Sequence, residues 1–185
     1  MRNLVWMVLV VTLMGCTLAP QKLKVMPELS FEALQGVRVP IELVIEDNRV
    51  EDTLLGYRNA KKEGAISFDG SLVKALGESI QKALLKQGVK MHKGPEPMVR
   101  LSIEVEKLNY STPDKSWVSH IAMQGEILLT VSRADASFKK RFSGNKSQDV
   151  ATAPSVEFNQ NYMNTLLSEL VNKALNDREV INFLK

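Results

Sequence analysis

"MVRLSIEVEKLNY", Met98 to Tyr110, decides how this chain folds. Val99, Leu101, Ile103 and Val105 alternate with Arg100, Ser102, Glu104 and Glu106. Successive side chains on a strand point to opposite faces, so a period of two predicts a strand with one apolar and one polar face. Such half-buried strands suit an antiparallel sheet with one covered side. The rest of the chain must then supply further strands to pair and helices to cover.

Downstream, "HIAMQGEILLTV", His120 to Val131, keeps Ile121, Met123, Ile127, Leu129 and Val131 in phase. "SFKKRFSG", Ser137 to Gly144, puts Phe138 and Phe142 on one side and Lys139 and Arg141 on the other. The short connection around Ala134-Asp135-Ala136 predicts a hairpin. Upstream, "VPIELVIEDNR", Val39 to Arg49, alternates through Val39, Ile41, Leu43 and Ile45, and short extended pieces fit Leu54 to Tyr57 and Ala65 to Phe68.

Two segments change period. From Leu72, apolar residues recur at Leu76, Ile80, Ala83 and Leu84, with Asp69 or Ser71 placed to cap and Gly88 placed to stop a helix. Phe158, Tyr162, Leu166, Leu170 and Ala174 recur every four residues, and Met163, Leu167 and Val171 widen that stripe. Asn176-Asp177 breaks it, and Asp177 can cap a last turn in which Val180, Ile181 and Leu184 pack inward. The order predicts an α+β fold: a mainly antiparallel sheet with two amphipathic helices packed on one face.

The 185 residues are about one domain's worth, and 44% hydrophobic with 24% charged residues supports a packed core. A net charge of +3 is only mildly basic, so no nucleic-acid partner is expected.

The first residues depart from this average. Arg2 precedes "LVWMVLVVTL", Leu4 to Leu13, a charged region followed by an apolar run of signal-peptide length. The run falls short of the roughly 20 residues that span a bilayer. A buried amino-terminal strand or helix is the other reading of the same run. "LMGC", Leu13 to Cys16, resembles the lipobox of bacterial lipoproteins and carries the only cysteine of the chain. The resemblance implies cleavage after Gly15, thioether formation and acylation, including palmitate, at Cys16. Without it, Cys16 reads as a small buried hydrophobe. Thr17, in place of a retaining aspartate, implies the outer membrane and its periplasmic face. The expected organisation is a signal peptide over 1–15, a lipidated cysteine and tether over 16–27, and one globular domain over 28–185.

No catalytic constellation emerges. Nucleophile-elbow, zincin, phosphate-loop and dinucleotide motifs are missing from the sequence. The only histidines are His92 and His120, which read as surface or strand-end residues. Glu104 and Glu106 read as a solvated face, although paired carboxylates also serve glycosidases. No metal, cofactor or enzymatic reaction is expected. "FKKRFSGNK", Phe138 to Lys146, reads either as protection of an exposed sheet edge or as a contact for anionic head groups. Trp117, in the turn-like "NYSTPDKSWVSH", reads either as a lid on the core or as a partner anchor. Asp47, Arg49 and Arg58 follow the first long strand. A bidentate pair of Asp47 with an arginine either pins that loop or presents a partner site.

"IELVIEDNRVEDTLLGYR", Ile41 to Arg58, with Asp47-x-Arg49, Leu55-Gly56 and Arg58, resembles the YajG family of bacterial envelope lipoproteins. "LNY" at Leu108 to Tyr110 and "NYMNTLLSELVNKALND" at Asn161 to Asp177 extend the resemblance along the chain. It implies an envelope lipoprotein with no assigned reaction. The layer order is also similar to the amino-terminal domain of TolB and to lipoproteins that assist envelope transporters or cell-wall synthases. The functional expectation is an outer-membrane-anchored binding or scaffolding module, held by a lipid on Cys16, with a periplasmic protein or peptidoglycan as partner. The alternative is a carrier or enzyme acting on envelope lipid or glycan.

Overall fold

The computed structural model describes residues 18–185 except 32–33, 35, 93–97, 114–118 and 135. The Met98–Tyr110 stretch forms the central strand. Element order is β1 (Gln21–Leu23), β2 (Ile41–Asp47), β3 (Leu54–Tyr57), β4 (Ala65–Phe68), α1 (Leu72–Lys86), β5 (Val99–Ser111), β6 (Ser119–Arg133), β7 (Ala136–Val150), α2 (Val156–Leu175) and α3 (Arg178–Leu184). The strands make one seven-stranded sheet in the order β1-β4-β3-β5-β6-β7, with β2 also on β5.

The sheet is mostly antiparallel by paired residues, but it also contains parallel pairs that the expectation of a mainly antiparallel sheet left out. β3–β4, β5–β6 and β6–β7 are antiparallel, whereas β1–β4, β2–β5 and β3–β5 are parallel. Period-two alternation reports the faces of a strand and is blind to its direction. The connection from β2 to β5 contains α1, the kind of crossover that returns a strand parallel.

Directly paired residues share a face, so the register locates the core. Ile45 pairs with Ile103 and Ile103 with Leu129, while Val105 pairs with Ile127 and Leu108 with Gly125. A bulge between Val105 and Lys107 inserts one residue. It shifts the alternation so that Leu108 and Tyr110 remain buried with Val105. α1 approaches this face at β2, where Gly77 lies against Ile45. α2 packs on β6 and β7, seating Leu166 and Leu170 over Gly125 and Gly144. A Cβ at Gly125 would come within 2.6 Å of Leu170, so the missing side chain makes the seat. Both long helices therefore cover one face, and the short α3 joins them beside β6.

Caps fix the helix ends. Ser71 Oγ accepts from the Lys74 N–H and Ser155 Oγ from the Phe158 N–H. Gly88 closes α1, with the Val89 N–H returning to the Leu84 carbonyl. Asp177 caps α3, whose Val180 and Leu184 are buried.

The stretch expected as a tether is structured from its middle onward. β1 pairs in parallel with β4, and Leu23 and Val25 are buried. Beyond β1 the backbone is held by amide side chains of α2. The Lys24 N–H donates to Gln160 Oε1 at 3.0 Å, the Met26 N–H to Asn164 Oδ1 at 2.7 Å and the Ser30 N–H to Asn172 Oδ1 at 2.9 Å. Asn164 Nδ2 returns a bond to the Lys24 carbonyl at 2.9 Å. Two residues of extended chain advance about 6.6 Å and four residues of helix about 6 Å, so alternate amides meet every fourth helical position. A helix flank thereby does the work of a neighbouring strand.

Candidate functional site

β5 shares one edge between two partners. Its first half pairs with β2, and Tyr110 near its end pairs with Gly56 of β3. The chain crosses from one to the other through Asn48–Thr53. The Asn48 N–H donates to the Val105 carbonyl at 2.9 Å, one step beyond β2. Arg49 then folds back on Asp47 as a fork, with Nε to Oδ1 at 2.7 Å and Nη2 to Oδ2 at 2.8 Å. Nη2 also donates to the Asp52 carbonyl, and the guanidinium stacks 5.1 Å from the centre of the Phe68 ring. Arg49 is only 8% exposed. A planar guanidinium matches a carboxylate bidentately, and a ring face favours a cation, so this residue is fixed from three sides.

The lock has a geometric consequence. It turns the loop tip outward, and Val50 is fully exposed, with a relative accessibility of 103%. Beside it a cleft of about 650 Å³ opens at the strand handover, lined by Val50, Leu54, Tyr57, Lys107, Asn109 and Ser111 among others. Glu106 and Glu126 form its far wall, bound to Arg141 at 2.7 and 2.8 Å. The hydrogen bond from Arg141 lowers the Glu106 pKa, and Glu106 in turn raises that of Arg141. The cleft thus has an apolar lip and a fixed polar floor.

Asp47 and Arg49 are brought together, and Arg58 is not with them. Arg58 lies beyond β3, where Nη1 donates to the Ala19 carbonyl at 3.1 Å and Nη2 to the Pro154 carbonyl at 3.2 Å. Gln21 Nε2 donates to the same Pro154 carbonyl at 3.0 Å, and Asn159 Nδ2 donates to Gln21 Oε1 at 2.7 Å. Burial pushes the nearby Tyr110 hydroxyl up to about 12, against the lowering effects of Asn159 and the Arg58 charge. These groups clasp the start of β1, the end of β3 and the start of α2. Cys16 and Trp117 lie outside the described residues.

The basic strand is β7, at the edge of the sheet. Three of its cations are committed within the domain. Lys140 binds Asp177 at 2.8 Å and also pairs with Glu179, Arg141 binds Glu106 and Glu126, and Lys146 binds Glu169 at 2.6 Å. Glu104 accepts from Asn48 Nδ2 at 3.0 Å, and His120 Nδ1 lies 2.6 Å from Asp149 Oδ1. Among the described residues no group of three histidine, cysteine or acidic side chains is placed to hold a metal ion. None of their helices is long and apolar enough to cross a membrane. Val50 was missed by periodicity. Its signal is a lone apolar residue inside the charged run Asp47-Asn48-Arg49-Val50-Glu51-Asp52.

A family model described as "uncharacterized lipoprotein" (Lipoprotein_16) matches residues 31–185. The chain belongs to this family. The lipoprotein is similar in fold to a protein from Xanthomonas campestris of known crystal structure, with a TM-score of 0.50 and 11% identity over 86% of this chain and 93% of that one. It is also similar to a minor lipoprotein from Acinetobacter baumannii, with a TM-score of 0.44 and 9% identity over 85% and 92% of the two chains. No curated protein matches the sequence. Membership makes this a lipoprotein of an uncharacterised family, which fits a place in the bacterial envelope.

Proposed function

We propose that the protein is a binding module of the bacterial envelope, anchored by a lipid on Cys16 and without a reaction of its own. The cleft at the β2–β3 handover carries this reading. Its lip, Val50 with Leu54 and Tyr57, offers apolar area on the surface, and the Asp47–Arg49 lock holds that lip rigid before any partner arrives. Asp47 and Arg49 act as positioning residues for the lip. A periplasmic protein or peptidoglycan is the expected partner. Membership of a lipoprotein family and the Leu13–Cys16 motif support the anchor. Thr17 and the resemblance to the YajG lipoproteins support the periplasmic face of the outer membrane.

Two experiments test the reading. Radiolabelled palmitate is expected in the wild-type protein and not in Cys16→Ala, and equal labelling would remove the anchor. A photocrosslinker replacing Val50 is expected to capture one defined periplasmic protein or glycan in cells. The same group replacing Lys82, exposed on α1, is expected to capture neither. Identical adduct patterns at the two positions would overturn the assignment of the cleft.

A further inference from the structure

The expected tether would let the domain hang at a distance from its membrane, but the fold leaves almost no leash. Leu18 and Ala19 already pack against the β3–β4 turn: a Cβ on Gly64 would lie 3.0 Å from Leu18 Cβ and 3.1 Å from the Ala19 carbonyl oxygen. Arg58 Nη1 holds that same carbonyl. From Gln21 onward the chain is in the sheet, and from Lys24 to Ser30 it is strapped along α2. Only two peptide steps separate Cys16 from Leu18, a reach of at most about 7 Å. The polar layer on each side of a bilayer is roughly 5–8 Å deep. A lipid on Cys16 therefore draws this end of the domain into the head-group layer.

The β3–β4 turn is built to be there. Asn59 closes it, with Oδ1 accepting from the Glu63 N–H at 2.9 Å and Nδ2 donating to Glu63 Oε2 at 2.7 Å. The Lys62 N–H returns to the Asn59 carbonyl at 3.2 Å. The closed turn pushes out Ala60, Lys61 and Lys62, all exposed, and Lys62 adopts the left-handed backbone with φ of 60°. Glu63, the carboxylate of the turn, is held by Asn59 and faces back into it. The tip thus offers two ammonium groups beside the anchored end of the chain.

We propose that this pole, Leu18–Pro20 together with the turn Asn59–Gly64, is the membrane-contacting surface of the protein, and that its ligand is the phosphate-bearing head groups of the leaflet that carries the anchor. The proposal rests on lipidation of Cys16. The strand directions then set the orientation of the rest. β6 begins at this pole and its 15 residues carry the β6–β7 hairpin roughly 50 Å along the strand. The hairpin is the distal end.

The test uses the full-length protein in vesicles of phosphatidylethanolamine and phosphatidylglycerol. Cys16 is the only cysteine, so when it is acylated Ala60→Cys and Ser137→Cys each carry one free thiol for a fluorophore. Mass spectrometry of the amino-terminal peptide reads the anchor separately. Quenching by head-group spin-labelled lipid is expected for the label at position 60 and not at position 137. Adding Lys61→Gln and Lys62→Gln to the first variant is expected to lower the ratio of seated to lifted pole by roughly twenty-five-fold, at about fivefold per cation near an anionic surface. Equal quenching at 60 and 137 in acylated protein would overturn the proposal and leave the anchor intact. Two labelled thiols per chain would show Cys16 free, overturning the anchor and with it the membrane-contacting pole.

Discussion

The two long helices lie on the same side of the sheet and are held there by different means. α1 buries one narrow stripe, Leu72, Leu76, Ile80 and Leu84, and turns its other side to solvent. α2 buries a wider stripe through Met163, Leu166, Leu167, Leu170 and Val171. On a second flank it also holds the chain after β1 with Gln160, Asn164 and Asn172. Burial of apolar area is non-directional and is enough to fix a helix on a layer. An extended segment with no strand beside it is held in place by directed hydrogen bonds, here from its Lys24, Met26 and Ser30 N–H groups to amide side chains of α2. The comparison teaches that one helix can serve as cover and as a substitute strand at once.

Truncating the apolar stripes should affect both helices alike and most strongly. Leu84→Ala in α1 and Leu170→Ala in α2, both at full or nearly full burial, are each expected to lower unfolding stability by about 2–5 kcal/mol in urea titrations. A large loss from one and none from the other would break the view that apolar packing anchors both.

The polar flank should matter only on α2. Asn159 is fully buried and donates to Gln21, so Asn159→Ala is expected to lose about 1–3 kcal/mol by stranding that partner. Ser79→Ala, which removes a hydroxyl bonded within α1, should stay within about 0.5 kcal/mol. Comparable losses at the two positions would erase the distinction.

A smaller and pH-dependent effect is expected where α2 hands over to α3. Burial raises the Asp177 pKa, but hydrogen bonds from Lys140 and from the Val180 and Glu179 N–H groups outweigh it and bring the carboxyl below its ordinary value of 3.8. A depressed folded pKa contributes stability that is fully present above the unfolded value and is lost as pH falls through the folded one. Asp177→Asn should therefore be less stable than wild type near neutral pH, by about 1 kcal/mol or less. The gap should close below about pH 4. A gap that widens in acid would contradict the sign. Smallest of all, Arg141→Gln on the uncovered face should leave the urea midpoint nearly unchanged, since exposed ion pairs contribute little.

The long strands and helices were legible because their side chains repeat with the period of the backbone. Val99 to Val105, Ile121 to Val131 and the stripe from Phe158 to Ala174 all form the elements their spacing predicts. Strand direction was not legible, since Ile41 to Ile45 would alternate identically in either sense. The strap was not legible either. Its amides and the N–H groups they hold are 136 to 142 residues apart, and nothing periodic joins Lys24 to Gln160 or Ser30 to Asn172. At the candidate site, the spacing of Asp47 and Arg49 suggested a fork. What the fork serves, the outward Val50 and the cleft beside it, depends on β2 and β3 sharing one edge of β5, which no local pattern encodes.

The central claim is that the chain from Gln21 to Ser30, which includes the later part of the segment expected to act as a tether, belongs to the folded domain. Amide hydrogen exchange on the full-length protein tests it most directly. The N–H groups of Lys24, Met26 and Ser30 are predicted to exchange slowly, in step with those of β1 and far more slowly than an unstructured chain. Exchange at unstructured rates for these three amides, while β6 and α2 stay protected, would contradict the claim and restore a free tether.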